Sequence, residues 1–315
     1  MSSLAVRCLL SPLLPRSGSA VAVASCKSRS IRVHASMNSP PPPVAEFPYL
    51  PPAQRDLMVE VLSIVETGLG PQLLPSTVPS DVLSYQNPSG SAHGALDIRY
   101  GGRDSTVDFI LESWLHCQIP TGALNIATLF VSLNSSTDAP HLLMEFIQGS
   151  PTSLVLLLDL IPRKDVVLHP DYLDEFYHQT DLDKQRQVLA KLPQVQPYMS
   201  PSLYVRSILS PTAIVVNINC GDGEQTMLEE IIRGKLNMIC KEIVQIWLRL
   251  CVKTKLLSEV DQDILVKRDS LIKSKAIEID LEVNLPRMFT PEIASRVVRE
   301  IKEAYKVQDS GKKFV

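Results

Sequence analysis

Several absences bound what this chain can be. No apolar run approaches the roughly 20 residues that a bilayer-spanning helix needs. The most apolar stretches, Leu154 to Leu158 and Ile214 to Val216, are strand-sized and suit a sheet buried on both faces. No HExxH, GxSxG or Walker A pattern occurs, so the zincin, nucleophile-elbow and P-loop chemistries have no sequence support. Gly221-Asp222-Gly223 lies between an expected strand and an expected helix. Thr226 stands where a dinucleotide fingerprint needs its third glycine, so a tight turn explains the glycines better. The six histidines include no pair at i, i+4, the spacing of a helical metal site. The six cysteines (Cys8, Cys26, Cys117, Cys220, Cys240 and Cys251) show no CxxC spacing. Neither an iron–sulfur cluster nor a zinc ribbon is signalled, and the thiols are read as reduced and mostly buried. No bound metal, flavin or nicotinamide is expected.

The N-terminus lacks something else. No acid precedes Glu46, while Arg7, Arg16, Lys27, Arg29 and Arg32 and many serines do. Basic, Ser-rich, acid-free N-termini read as organellar transit peptides, and Ser11 and Pro12 break the apolar run that a secretory signal would need. A merely disordered tail is the alternative. Cleavage near Val33-His34-Ala35 divides the chain into a plastid transit peptide (1–36), a Pro-rich linker (37–52) and a single domain (53–315). Mitochondrial or dual import is compatible with the same composition. The chain carries 31 basic and 34 acidic residues; without the five N-terminal basic ones 26 face 34, a net charge of −8. An acidic mature protein is a poor candidate for sequence-independent nucleic-acid binding.

Helical periodicity runs over 53–69, with Leu57, Val61, Ile64 and Val65 on one side. Strands are expected at 96–100, 107–112, 126–133, 142–148, 154–160, 203–209 and 214–219, punctuated by Asn87-Pro88-Ser89-Gly90, Gly101-Gly102, Asn134-Ser135-Ser136 and Gly149-Ser150-Pro151. Helices return at 171–192, 225–255, 262–280 and 291–307, the last with Thr290 as N-cap and Pro291 in its first turn. Strands that follow one another without intervening helices favour antiparallel pairing. The expected fold is an α/β/α sandwich with a mainly antiparallel central sheet between helical layers.

Two carboxylates stand in apolar surroundings. Alternation puts Leu142, Met144 and Phe146 on one strand face and Leu143, Glu145 and Ile147 on the other, so Glu145 points into a covered space. A desolvated carboxyl stays protonated near neutrality and can donate a proton; a strand glutamate paired with a buried Arg or Lys is the alternative. Asp280 sits near the end of a helix that Pro286 is expected to stop, and an amphipathic helix would leave it solvated. Asp159 precedes Arg163 and Lys164 and reads as half of a strand-end ion pair. Trp114 and His116 share one strand face and could line a flat aromatic ligand, or Trp114 could be core.

Several segments resemble the red chlorophyll catabolite reductase family: Asn87 to Ala92, Ser113 to Cys117, Ile119 to Gly122, Leu133 to Thr137, His169 to Leu173, Pro201 to Ser207, Pro286 to Phe289 and Arg296 to Arg299. No single piece is specific; their order and number are, and the resemblance runs from about Glu46 to Val307. It implies a fold similar to the ferredoxin-dependent bilin reductases and a chloroplast enzyme, stromal or thylakoid-associated. That enzyme reduces red chlorophyll catabolite to a primary fluorescent catabolite. Reduced ferredoxin would be the external electron donor, with no cofactor bound. Pheophorbide a oxygenase and other chlorophyll-breakdown enzymes would be further partners, and a homodimer the assembly. The family's pocket carboxylates fall on Glu145 and Asp280, and a residue that influences product stereochemistry falls on Leu209. Arg206 or Arg287 would meet the substrate carboxylate. A ferredoxin, itself acidic, needs a local basic patch on an acidic partner. Lys253, Lys255, Lys267, Arg268, Lys273 and Lys275 are the candidates, with Arg163 and Lys164 next. The same residues also read as solvated helix faces balanced by Glu259, Asp261, Asp263 and Asp269. Two other readings remain: a non-catalytic tetrapyrrole carrier, and a pyridine-nucleotide reductase against which the broken glycine pattern speaks.

Overall fold

The computed structural model describes residues 47–69, 73–120, 122–221, 223–252 and 257–307. The expected transit peptide and most of the linker lie outside the described residues, as do Lys253 and Lys255. One sheet organises the rest. Its strands are β1 (Tyr85–Gln86), β2 (Ala92–Tyr100), β3 (Val107–Ile119), β4 (Gly122–Leu133), β5 (His141–Ser150), β6 (Ser153–Ile161), β7 (Val195–Pro197) and β8 (Ile214–Asn219). Their order is β1-β2-β3-β4-β5-β6-β8-β7, and every pairing is antiparallel. Short reversals join β1 through β6, as sequential antiparallel strands allow. At the β1–β2 reversal Asn87 Oδ1 accepts from the backbone N–H of Ser91 (2.9 Å) and Ala92 (3.1 Å). Gly90 there takes φ 69°, a conformation that L side chains resist.

Helices cover both faces. The first layer holds α1 (Pro52–Leu69) and α7 (Asn237–Val252). Leu57, Val61 and Val65 of α1 pack in one cluster with Leu142, Met144 and Phe146 of β5 and with Trp247 of α7. The second layer is C-terminal: α8 (Glu259–Ala276), a π-turn (Ile277–Leu281), α9 (Glu282–Met288) and α10 (Pro291–Tyr305). Ile272, Ile277, Leu281 and Ile301 of that layer pack against Leu143 and Ile147. The expected alternation of β5 is therefore realised, and Glu145 faces the C-terminal helices. Thr290 caps α10 by accepting from Ile293 N–H at 3.4 Å.

Four expectations change. Residues 203–209 form no strand: α5 (Leu203–Ile208) stands there, with Ser202 as N-cap accepting from Val205 N–H. Val205 and Ile208, three apart, are the residues it buries, so a helical period wins over the apparent alternation. The expected 171–192 helix is broken into α3 (Pro170–Leu173) with a π-turn (Asp174–His178), then α4 (Leu182–Ala190). The 225–252 segment is helical but interrupted by a π-turn, Ile232–Leu236, between α6 (Gln225–Ile231) and α7. Pro286 does not stop the helix after Asp280; it lies inside α9.

One buried network fastens the C-terminal layer to the sheet. Arg163, fully buried, donates from Nη2 to Asp269 Oδ2 (2.6 Å) on α8 and from Nη1 to the carbonyls of Asn134 (2.9 Å) and Thr137 (2.5 Å). His141 Nδ1 accepts from Leu133 N–H at 3.0 Å, so its proton sits on Nε2, 3.0 Å from Asp269 Oδ1. Burial lowers the His141 pKa to about 4, the nearby Arg163 and Lys273 charges push the same way, and Asp269 opposes them. The imidazole is therefore neutral at physiological pH.

Candidate active site

Glu145 sits mid-strand in β5, opposite Thr128 of β4 and Leu157 of β6. Thr128 Oγ1 donates to Glu145 Oε1 at 3.1 Å. Asp280 comes from the π-turn between α8 and α9. Such single-turn irregularities are frequent at functional sites. The two carboxyls meet at the sheet–helix interface, with side chains of 0 % and 2 % exposure. Burial raises the Asp280 pKa well above the ordinary carboxylate range, and charge on Glu145 raises it further. Asn284, one turn on, opposes this by donating from Nδ2 to Asp280 Oδ1 at 2.6 Å. Asp280 Oδ2 has no hydrogen-bond partner among the described residues. Tyr305, at the end of α10, completes the surroundings. Its ring stacks on Phe109 (5.4 Å) and meets Phe130 edge-on (6.2 Å). Burial raises the pKa of its phenol, and the charges of Asp280 and Glu145 add to the rise.

The structure thus brings together the two acids that sequence and resemblance single out, and it excludes the solvated alternative for Asp280. Leu209 caps the end of α5 and packs against the same layer. Trp114 and His116 are not brought to this site. They point to the other face of the sheet, where Trp114 is fully buried 6.2 Å from Phe47. His116 lies 5.3 Å from the Tyr49 ring, and Tyr49 stacks on His93 at 3.9 Å. Arg206 and Arg287 are exposed; Arg206 Nη1 lies 3.2 Å from Met199 Sδ, and Arg287 Nη1 donates to Asn284 Oδ1 at 3.5 Å.

Asp159 forms no ion pair among the described residues. Its carboxylate accepts from Ser210 N–H (2.9 Å) and Ser210 Oγ–H (2.5 Å), which ties the loop after Leu209 to β6. Burial pushes its pKa up to about 6 against those bonds. Arg163 turns inward to Asp269, and Lys164 pairs with Asp138 at 3.0 Å. Among the docking candidates Lys267 is exposed and Arg268 half-buried, its Nε donating to Pro162 O at 3.0 Å. Lys275 pairs with Glu278 at 2.6 Å. Lys273 is a correction: it is buried, its Nζ 3.0 Å from Asp108 Oδ2 and 4.9 Å from the Phe109 ring centroid, so it adds nothing to a surface patch.

Sequence reasoning missed a second buried acid pair, on the opposite face. Asp97 and Glu112 stand directly opposite each other across β2 and β3. Arg99 reaches both, at 3.4 Å and 2.7 Å, and Glu66 of α1 at 2.5 Å. Burial pushes the Glu112 pKa up to about 8; the Asp97 charge helps and the Arg99 charge resists. Part of the signal was present: Asp97 lies between Leu96 and Ile98, as Glu145 lies between Met144 and Phe146, while Glu112 lies between Leu111 and Ser113.

An antiparallel sheet between two helical layers defines an α/β/α sandwich, and the paired acids lie under its C-terminal layer. Phytochromobilin synthase from tomato, solved in complex with biliverdin, shares the fold at a TM-score of 0.63, with 14% identity over 80% of this chain and 84% of that one. The family profile described as Red chlorophyll catabolite reductase (RCC reductase) matches residues 53–303. Red chlorophyll catabolite reductase 1, chloroplastic, of Oryza sativa subsp. japonica is 50% identical over 82% of this chain and 79% of its own length. Its counterpart from Arabidopsis thaliana, also named chloroplastic, is 49% identical over 83% of each. Red chlorophyll catabolite reductase of Hordeum vulgare is 53% identical over 64% of this chain and all of its own length. This chain belongs to the red chlorophyll catabolite reductase family and is a reductase.

Proposed function

We propose that this reductase converts red chlorophyll catabolite to primary fluorescent chlorophyll catabolite in the chloroplast, with electrons from reduced ferredoxin and protons from Glu145 and Asp280. The observation that carries the reading is the buried acid pair under the C-terminal helices in a chain of this family. The overall change adds two electrons and two protons. The conjugated tetrapyrrole itself accepts the electrons, one from each ferredoxin. The protein's part is to hold it, exclude water and deliver each proton where negative charge develops.

The electrostatics of the pair suit one-electron steps. Burial favours the protonated form of Asp280, and a neutral carboxyl is a competent general acid. Once either acid gives up its proton, its negative charge makes the other a weaker acid, so the protons leave one at a time. Thr128, donating to Glu145 Oε1, stabilises the carboxylate that remains. Plastid import is supported by the acid-free, Arg- and Ser-rich N-terminus.

The test is a fluorescence assay of the purified chain with red chlorophyll catabolite and, in turn, reduced ferredoxin, a reduced nicotinamide cofactor, or no donor. Product only with ferredoxin is expected. Product with the nicotinamide alone defeats the donor assignment. Binding without product under every condition makes the chain a carrier.

A further inference from the structure

The proposal concerns the two residues that stand behind Asp280, and it rests on the reading of Asp280 as a proton donor. Asn284 is buried one helical turn beyond Asp280. Its amide has an oxygen end and a nitrogen end, and the chemistry of its neighbours fixes which faces which. The Arg287 guanidinium offers donors and no acceptor, so the Asn284 atom 3.5 Å from Arg287 Nη1 is the oxygen. The amide nitrogen then faces Asp280 Oδ1 at 2.6 Å. An oxygen that accepts from an N–H donor is not the one that carries the proton of a carboxyl. Its proton belongs on Oδ2, which has no hydrogen-bond partner among the described residues.

We infer that Asn284, oriented by Arg287, is a positioning residue that holds the transferable proton of Asp280 on Oδ2 and stabilises the carboxylate left after transfer. Arg287 thereby takes a role different from holding the substrate's carboxylate. Its guanidinium is the exposed end of a chain, Arg287 to Asn284 to Asp280, along one face of α9 and the π-turn. Without the Asn284 donor the carboxyl is free to turn over and present either oxygen. Its conjugate base also loses a short bond to a charged acceptor, the stronger class of hydrogen bond. Both effects slow proton delivery and leave substrate binding alone.

The test uses Asn284→Leu, which keeps the volume and removes the donor, and Arg287→Met, a change at an exposed site that the fold tolerates. Turnover of Asn284→Leu with red chlorophyll catabolite and ferredoxin should fall roughly tenfold, the size of one lost hydrogen bond to a reacting group, with KM unchanged. In an Asp280→Asn background the same substitution should cost nothing further, because its effect runs through Asp280. Infrared difference spectra should show the protonated Asp280 carbonyl stretch, absent in Asp280→Asn, moving to higher frequency in Asn284→Leu. Arg287→Met should lower kcat modestly at constant KM. An equal loss from Asn284→Leu in both backgrounds, an unmoved carbonyl stretch, or a raised KM at constant kcat in Arg287→Met overturns the proposal. Should Asn284→Leu fail to fold, the Arg287→Met kinetics and spectrum decide alone. Parent-rate turnover by Asp280→Asn would instead remove the donor reading on which the proposal stands.

Discussion

Replacing Glu112 with Gln should change how stability depends on pH, and the size of the change follows from the second acid pair. Glu112 is buried opposite Asp97, and its pKa is pushed from 4.5 up to about 8. The folded chain therefore holds a proton that the unfolded chain releases near pH 4.5. A raised folded-state pKa means the contribution is complete below the unfolded pKa and is lost as pH rises toward the folded one. Each pH unit in that window removes about 1.4 kcal/mol. By pH 7 the parent has lost about 3 kcal/mol through this one group, as an order of magnitude. Glu112→Gln cannot titrate. Its amide oxygen can still accept from Arg99 Nη2, now 2.7 Å from Glu112 Oε1. Its NH2 replaces Oε2, which has no hydrogen-bond partner among the described residues, nor has Asp97 Oδ1. Reversible urea unfolding of parent and variant between pH 5.5 and 8.5 gives the difference directly. The variant's advantage should grow steadily across that range and level off above about pH 8. A stability difference that does not vary with pH would refute the assignment of the bound proton to Glu112.

Three further outcomes are expected. Glu145→Gln and Asp280→Asn should each lower turnover about a hundredfold or more, as for loss of a general acid, while red chlorophyll catabolite still binds by fluorescence titration. Arg163→Met leaves Asp269 buried beside a neutral His141, which should cost about 3–5 kcal/mol; differential scanning calorimetry should show a midpoint lower by on the order of 10 °C. Lys267→Glu together with Lys275→Glu should raise the apparent KM for ferredoxin about threefold or more and reduce its salt dependence, without changing substrate affinity; unchanged ferredoxin kinetics would move docking to another face.

Much of the fold was legible because burial imposes periodicity. The strands of β2 to β6 and β8 show as apolar runs between turn residues, and their succession without helices dictates antiparallel order. Thr290 before Pro291 reads as a helix start for the same reason that it is one: a side-chain oxygen satisfies Ile293 N–H. The 203–209 segment misleads because Leu203, Val205 and Leu209 fit a period of two while Val205 and Ile208 fit 3.6. Pro201-Ser202 ahead of them was the available start signal. Pro286 reads as a stop, yet α9 continues through it to Met288, where the carbonyl accepts from Asn87 Nδ2 at 3.3 Å. That contact joins residues 201 positions apart, and no local pattern encodes it.

The site was legible only in part, and the three strand acids show why. Asp97, Glu112 and Glu145 are all buried strand acids, in β2, β3 and β5, so desolvation marks all three alike. What separates them is register and face. Pairing sets Asp97 against Glu112 and brings Arg99 to both, on the side of α1, where Glu66 shares the guanidinium. That arrangement is a charge cluster joining a helix to the sheet. Glu145 lies on the opposite side, next to Thr128, and its charge acts on Asp280. Two acids buried side by side are costly to keep ionised. A fold retains them at a net cost to stability, the kind of local conflict expected where function rather than stability sets the residue. Substituting both with apolar residues of similar volume, Glu145→Met with Asp280→Leu, should therefore raise the urea midpoint while abolishing turnover. A lower midpoint would show that the pair serves the fold and would leave Arg99 and its acids as the better place to look for chemistry.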